Sequence, residues 1–172
     1  NYKMILKDFD EVNLCNYVNL NENDKIQALN MRNHPEIKKW MHNQDRISEE
    51  DHFGFINNLE IDIEKRYFLV KQKGNIIGSI NFSKINFDNS VELGIFTNPF
   101  LQLKGLGRLL ESAASQYVFA ELGVRKIKLE VFLGNERAIR FYNKCGFEFI
   151  GTKKTNHQNI MCMEKIKEFG LV

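Results

Sequence analysis

The residues Gln102, Leu103, Lys104, Gly105, Leu106 and Gly107 stand between an alternating stretch and the most regular amphipathic run of the chain. A helix start offers unpaired N–H groups and the positive end of a dipole, which together suit phosphate oxygens. Gly105 and Gly107 let such a backbone approach a ligand without a Cβ in the way, and Lys104 and Arg108 add positive charge. Two readings fit this spacing: a diphosphate cradle, or a glycine turn that merely starts a helix. Other glycine-rich sites do not fit. A dinucleotide fingerprint needs a third glycine where Leu110 stands, and a Walker loop needs Gly-Lys-Ser/Thr, which is absent. His34, His42 and His157 show no metal-ligand spacing, and Cys15, Cys145 and Cys162 form no CxxC pair.

The elements that must hold this loop follow from periodicity. With 172 residues, 43% of them hydrophobic, the chain is read as one domain, 1–172, able to bury one substantial core. Residues 4–18 read as one strand with an irregular connection. Ile26 and Leu29 mark a short helix halted by His34-Pro35, and Pro35 starts a second helix running through Ile37, Trp40 and Met41. Ser48 caps a third, with Phe53, Ile56 and Leu59 on one face. Residues 66–97 then form a three-stranded antiparallel meander, turning at Gly74-Asn75 and at Asp88-Asn89-Ser90. Its last strand presents Val91, Leu93 and Ile95 on one face and Glu92, Gly94 and Phe96 on the other.

After the glycine loop, Leu106, Leu109, Leu110, Ala113, Ala114, Tyr117 and Val118 follow a helical repeat. Gly123 ends that helix, and Lys126–Phe132 alternates again, completing a right-handed strand–helix–strand crossover. A further helix opens at Asn135 and stops at Gly146, before a final hairpin of 147–154 and 159–166.

Two motifs now stand in register. Gln102-x-x-Gly105-x-Gly107 follows one strand, and Asn135-Glu-Arg-Ala-Ile-Arg-Phe-Tyr-Asn-Lys-Cys-Gly-Phe147 follows the next. Together they resemble the acyl-CoA loop and following helix of the GNAT N-acetyltransferase superfamily, over most of residues 66–166. That resemblance implies an α+β fold: a mostly antiparallel sheet of about seven strands with a splayed parallel pair, flanked by helices. It implies acetyl-CoA as cosubstrate and no metal. The cofactor would lie along Ile95, Phe96 and Thr97, the loop from Gln102 to Arg108, and Asn135, Phe141 and Lys144. Tyr142 falls on the general-acid position, and plain core packing is its alternative. A phenol, with a reference pKa of about 10, is protonated at neutral pH and can donate to a departing thiolate.

For the base the chain offers Glu130, or Glu92, each on a strand flanking the splay; a solvated surface carboxylate is the competing reading. The segments 31–40, 66–69, 83–87 and 94–101 are similar to those of members that acetylate a nucleotide-linked amino sugar on the way to pseudaminic acid. This implies transfer to the 4-amino group of UDP-4-amino-4,6-dideoxy-N-acetyl-β-L-altrosamine, a step toward flagellin glycosylation, by direct attack in a ternary complex. Arg32, Trp40, His52, Asn86 and Phe96 would line the sugar pocket, Arg32 being suited to a diphosphate. An acetyltransferase for protein N-termini or lysines, and a silent acyl-CoA-binding module, are the competing functions. With 24 basic and 22 acidic residues, nothing points to nucleic acid or a membrane as partner. The opening residues lack the apolar core of a signal peptide, so a cytoplasmic protein with reduced thiols is expected. A homodimer built on an exposed edge of the last strand is a family-level expectation.

Overall fold

A computed structural model describes residues 1–155 and 158–168, so His157 lies outside the described residues. The strands are β1 (Tyr2–Ile5), β2 (Glu11–Asn16), β3 (Arg66–Gln72), β4 (Asn75–Phe87), β5 (Ser90–Thr97), β6 (Lys126–Phe132), β7 (Glu148–Lys154) and β8 (Asn159–Ile166). The helices are α1 (Glu22–Asn33), α2 (Pro35–Lys38), α3 (Glu49–Leu59), α4 (Leu106–Gln116) and α5 (Glu136–Lys144). All eight strands form one sheet in the order β1-β2-β3-β4-β5-β6-β8-β7. Every pairing is antiparallel except β5 with β6.

The fold class matches the sequence reading, with corrections. The stretch read as one strand over 4–18 is a hairpin of β1 and β2, which brings the sheet of about seven strands to eight among the described residues. α2 ends at Lys38, leaving Trp40 and Met41 just beyond it. The first meander turn sits one residue upstream of Gly74-Asn75: Lys73 and Gly74 take φ of 50° and 80° between the paired Gln72 and Asn75. The last strand, β8, is interior, between β6 and β7, so the edges of the sheet are β1 and β7.

Local chemistry explains the helix starts. Asn21 and Ser48 accept from the amides of Asp24 (2.8 Å) and Asp51 (3.1 Å), and Pro35 occupies the first turn of α2. α4 runs into a π turn over Tyr117–Leu122, closed by Gly123 with its amide on the Val118 carbonyl at 2.9 Å.

Strand alternation builds a core on each face of the sheet. Phe68, Val70, Ile80, Val91, Leu93, Ile127 and Leu129 meet Leu110, Ala113 and Ala114 of α4 on one face. Leu69 and Phe96 meet Ala28, Met31 and Ile56 of α1 and α3 on the other. No helix among the described residues is long and apolar enough to cross a membrane.

Candidate active site

The parallel ladder between β5 and β6 is short. Ser90, Val91 and Glu92 pair with Lys126, Ile127 and Lys128, and there the pairing stops. β5 continues to Thr97 held by β4, and β6 continues to Phe132 held by β8, so the two strands part from Leu93 and Leu129 onward. The N-terminus of α5 borders this opening, and that of α4 borders the adjoining cavity beside Thr97. Residues from both strands, both helices and the segment after α2 line a chain of three neighbouring cavities.

The first cavity, about 530 Å³, is lined by Ile95, Phe96 and Thr97 of β5, by Gly105, Gly107 and Arg108, by Asn135, Arg137, Ala138, Phe141 and Tyr142, and by Glu36, Ile37, Trp40 and Met41 from α2 and the segment after it. Gly105 precedes α4 with φ of 81°, a conformation that L side chains rarely adopt. A Cβ on Gly107 would stand 3.3 Å from the Phe141 ring and narrow the cradle. The loop thus places the free amides of a helix start at one end of an apolar trough, with Arg108 and Arg137 as cations. This donor set fits a diphosphate followed by an uncharged pantetheine arm.

Asn135 serves first as the cap of α5, its Oδ1 accepting from the Ala138 amide at 3.2 Å. Asn135→Ala should cost about 1 kcal/mol of stability, read by urea unfolding, and loosen the helix that carries Tyr142.

The second cavity, about 300 Å³, lies in the split itself. It shares Ile95, Asn135, Ala138 and Tyr142 with the first and adds Glu92, Glu130, Tyr67, Asn81 and His42. The Tyr142 ring packs edge-on against Phe141 and Phe147, at 5.1 and 5.4 Å. Burial lifts its hydroxyl well above the ordinary phenol value, so it stays protonated throughout the neutral range. The neighbouring Cys145 thiol is pushed up to about 11, mainly by burial, and is no competing thiolate.

The two carboxylates differ in setting. Glu92 pairs with Lys84 at 3.2 Å. Glu130 is the more enclosed, with Oε1 3.3 Å from His42 Nε2 and Oε2 paired with Lys153 Nζ. The Lys153 ammonium is in turn raised above its usual value, chiefly by that hydrogen bond.

The third cavity, about 320 Å³, joins the second through Met41, His42, Tyr67 and Asn81 and is walled from the first by Phe96. Arg32 enters it from α1, donating through Nη2 to the Asn43 carbonyl at 2.8 Å. Its Nη1 is buried with no hydrogen-bond partner among the described residues. His52 also lines this cavity, but its Nε2 is spent on the Lys25 carbonyl at 2.8 Å, tying α3 to α1. A network of Tyr17, Ser79 and Asn81, with O···O distances of 2.6 Å, stiffens the floor.

Several residues expected from sequence lie elsewhere. Asn86 is exposed at φ of 61°, where the β4–β5 register slips between Ser83 and Phe87; it shapes a bulge and lines none of the three cavities. The Leu106 side chain is buried in the core, leaving only its backbone to the loop. Gln102, Leu103 and Lys104 are exposed and outside the lining of the first cavity, and Lys144 sits exposed in the last turn of α5. Trp40, 42% exposed, lines the first two cavities.

The structure adds His42, Tyr67, Asn81, Arg137 and Lys153, which sequence reasoning passed over. Arg137 stood inside the second motif and could have been found there. The other four meet the site only through long-range pairing and leave no local signal.

Residues 24–147 match the family described as the acetyltransferase (GNAT) family. The acetyltransferase PseH of Campylobacter jejuni is 37% identical over 136 residues, covering 79% of this chain and 84% of that protein. The crystal structure of the Campylobacter jejuni N-acetyltransferase PseH in complex with acetyl coenzyme A superposes with a TM-score of 0.74 at 28% identity, over 91% of this chain and 99% of that one. The spermidine N-acetyltransferase of Vibrio cholerae in complex with CoA and spermine gives a TM-score of 0.80 at 26% identity, over 90% and 95%.

Proposed function

The chain belongs to the acetyltransferase (GNAT) family and is an acetyl-CoA-dependent N-acetyltransferase, and on that premise we propose that its acceptor is a nucleotide-linked amino sugar. In this reading it acetylates the 4-amino group of UDP-4-amino-4,6-dideoxy-N-acetyl-β-L-altrosamine, in the cytoplasm, as a step of pseudaminic acid synthesis. The likeness to PseH supports it. The observation that carries it is Arg32: among the described residues, its buried guanidinium has Nη1 unpartnered and its cavity is lined by no Asp or Glu. Such a site suits an anion, and a guanidinium is the side chain best shaped for a diphosphate. The same cavity is a poor place for a polyamine, whose charges call for carboxylates, despite the structural likeness to the spermidine enzyme.

Acetyl-CoA supplies an activated acyl group whose carbonyl carbon bonds to the amine nitrogen as its bond to sulfur breaks. Two proton transfers accompany this step: the nitrogen loses one proton to a base, and the sulfur gains one from an acid that solvent later reprotonates. Tyr142 donates to the sulfur, and Glu130, with Glu92 as the secondary candidate, draws the proton from the amine side. Ile95, Thr97 and the glycine loop orient the cosubstrate, so attack is direct, with both substrates bound.

Arg32→Gln tests the acceptor site. The acceptor KM should rise about 10- to 100-fold, the worth of a charge-assisted hydrogen bond, while the acetyl-CoA KM stays within about twofold. An unchanged acceptor KM would remove the diphosphate from the cavity of Arg32.

A further inference from the structure

We infer that His42 is the group that takes the proton from the acceptor amine, with Glu130 as the carboxylate that orients and balances it. This rests on the reading above that the acceptor is an amine in the Arg32 cavity, and it changes which atom does the work.

Glu130 Oε2 already holds the Lys153 ammonium, and Oε1 faces the N–H of His42 Nε2. A proton arriving at that carboxylate would have to displace a charge-assisted hydrogen bond. His42 has no such obstacle. With Nε2 held 3.3 Å from Glu130 Oε1, the ring carries its hydrogen on Nε2 and leaves Nδ1 as a lone-pair acceptor. Phe132 packs edge-on against the imidazole at 5.7 Å and limits its rotation.

The ring also stands in the right place. His42 lines both the cavity of Tyr142 and the cavity of Arg32, at the passage where an amine anchored by Arg32 would reach the split between β5 and β6. Its side chain is 58% exposed, so the proton has a path to water. The arrangement repeats the logic of a base oriented by a third group, with the carboxylate stabilising the imidazolium that forms. The charged and titratable groups facing this region are Glu130 of β6, Lys153 of β7, Glu92 of β5 with its partner Lys84 of β4, Tyr67 of β3, Tyr17, Arg32 of α1, His52 of α3 and Tyr142 of α5.

Thiol release from acetyl-CoA with the UDP-linked 4-amino sugar provides the test. His42→Ala should lower kcat about 100-fold with the acceptor KM within about threefold. Added imidazole should restore at least about tenfold of the loss, and Glu130→Gln in the same chain should add little, since the two act as one unit. The nitrogen-15 spectrum of the His42 ring in the wild-type protein should show the hydrogen on Nε2, and in Glu130→Leu a mixture of tautomers. The inference is overturned by a His42→Ala variant with near wild-type kcat beside a crippled Glu130→Gln, by a loss that imidazole does not restore, or by mixed tautomers in the wild type. Failure of the acceptor reading looks different: the wild type is then inactive on the sugar, and the ring tautomer alone decides the pairing of His42 with Glu130.

Discussion

Tyr142→Phe lowers kcat about 1,000-fold and leaves acetyl-CoA binding within about twofold, when turnover is measured under conditions limited by chemistry. The ring is held by Phe141 and Phe147 and lines both the first cavity and the split, so phenylalanine keeps the packing and removes only the hydroxyl. Because burial keeps that hydroxyl protonated, it is ready to donate at any neutral pH. The same desolvation disfavours a free phenolate, so the proton passes toward the sulfur only as the C–S bond breaks and charge develops there. Unchanged turnover in Tyr142→Phe would remove this residue from the chemistry and leave it as core.

Gly78→Ala destabilises the protein by about 3 kcal/mol or more, which for a chain of this size lowers Tm by roughly 6–12 °C. Gly78 pairs with Thr97 across the β4–β5 ladder. A Cβ there would stand 2.3 Å from the Phe96 carbonyl oxygen, 2.8 Å from Leu110 Cδ1 and 3.0 Å from the Thr97 Cα. Two of these neighbours are backbone, and Leu110 is fully buried, so none yields cheaply. The strain falls on Phe96 and Thr97, the stretch of β5 that lines the first cavity. The acetyl-CoA KM of Gly78→Ala should therefore rise along with the loss of stability. An unfolding curve and an acetyl-CoA titration on the same sample check both, and wild-type values for both would show that the strands part more freely than their packing indicates.

Much of this was legible in the chain because it is written locally. Caps such as Ser48 and Asn135, the halt at His34-Pro35, and the period of Leu106 to Val118 each act within a turn or two, and the structure places them as read. The signals for the first cavity were equally local: one glycine loop, one strand end and one helix line it. The first hairpin was missed because residues 6–10 carry no clear glycine or asparagine turn, and the register of β1 is set by pairing with β2.

The acceptor side was less legible for the same physical reason. Glu130 was a candidate base from its strand position, yet what defines it is His42 from the N-terminal third and Lys153 from β7, brought together only by the sheet. Lys104 and Lys144 drew attention as cations near the motifs, whereas Arg137 is the one beside Arg108 in the trough. His52 lines the Arg32 cavity, and its Nε2 on the Lys25 carbonyl also ties α3 to α1.

The most direct measurement is thiol release from acetyl-CoA across one panel of acceptors: the UDP-linked 4-amino sugar, spermidine and spermine, and lysine-containing and N-terminal peptides. The proposed function predicts turnover with the nucleotide sugar at a kcat/KM at least about 100-fold above that with any other acceptor, the discrimination expected when one buried cation meets an anion instead of a polycation. Turnover confined to the polyamines or to the peptides would contradict it.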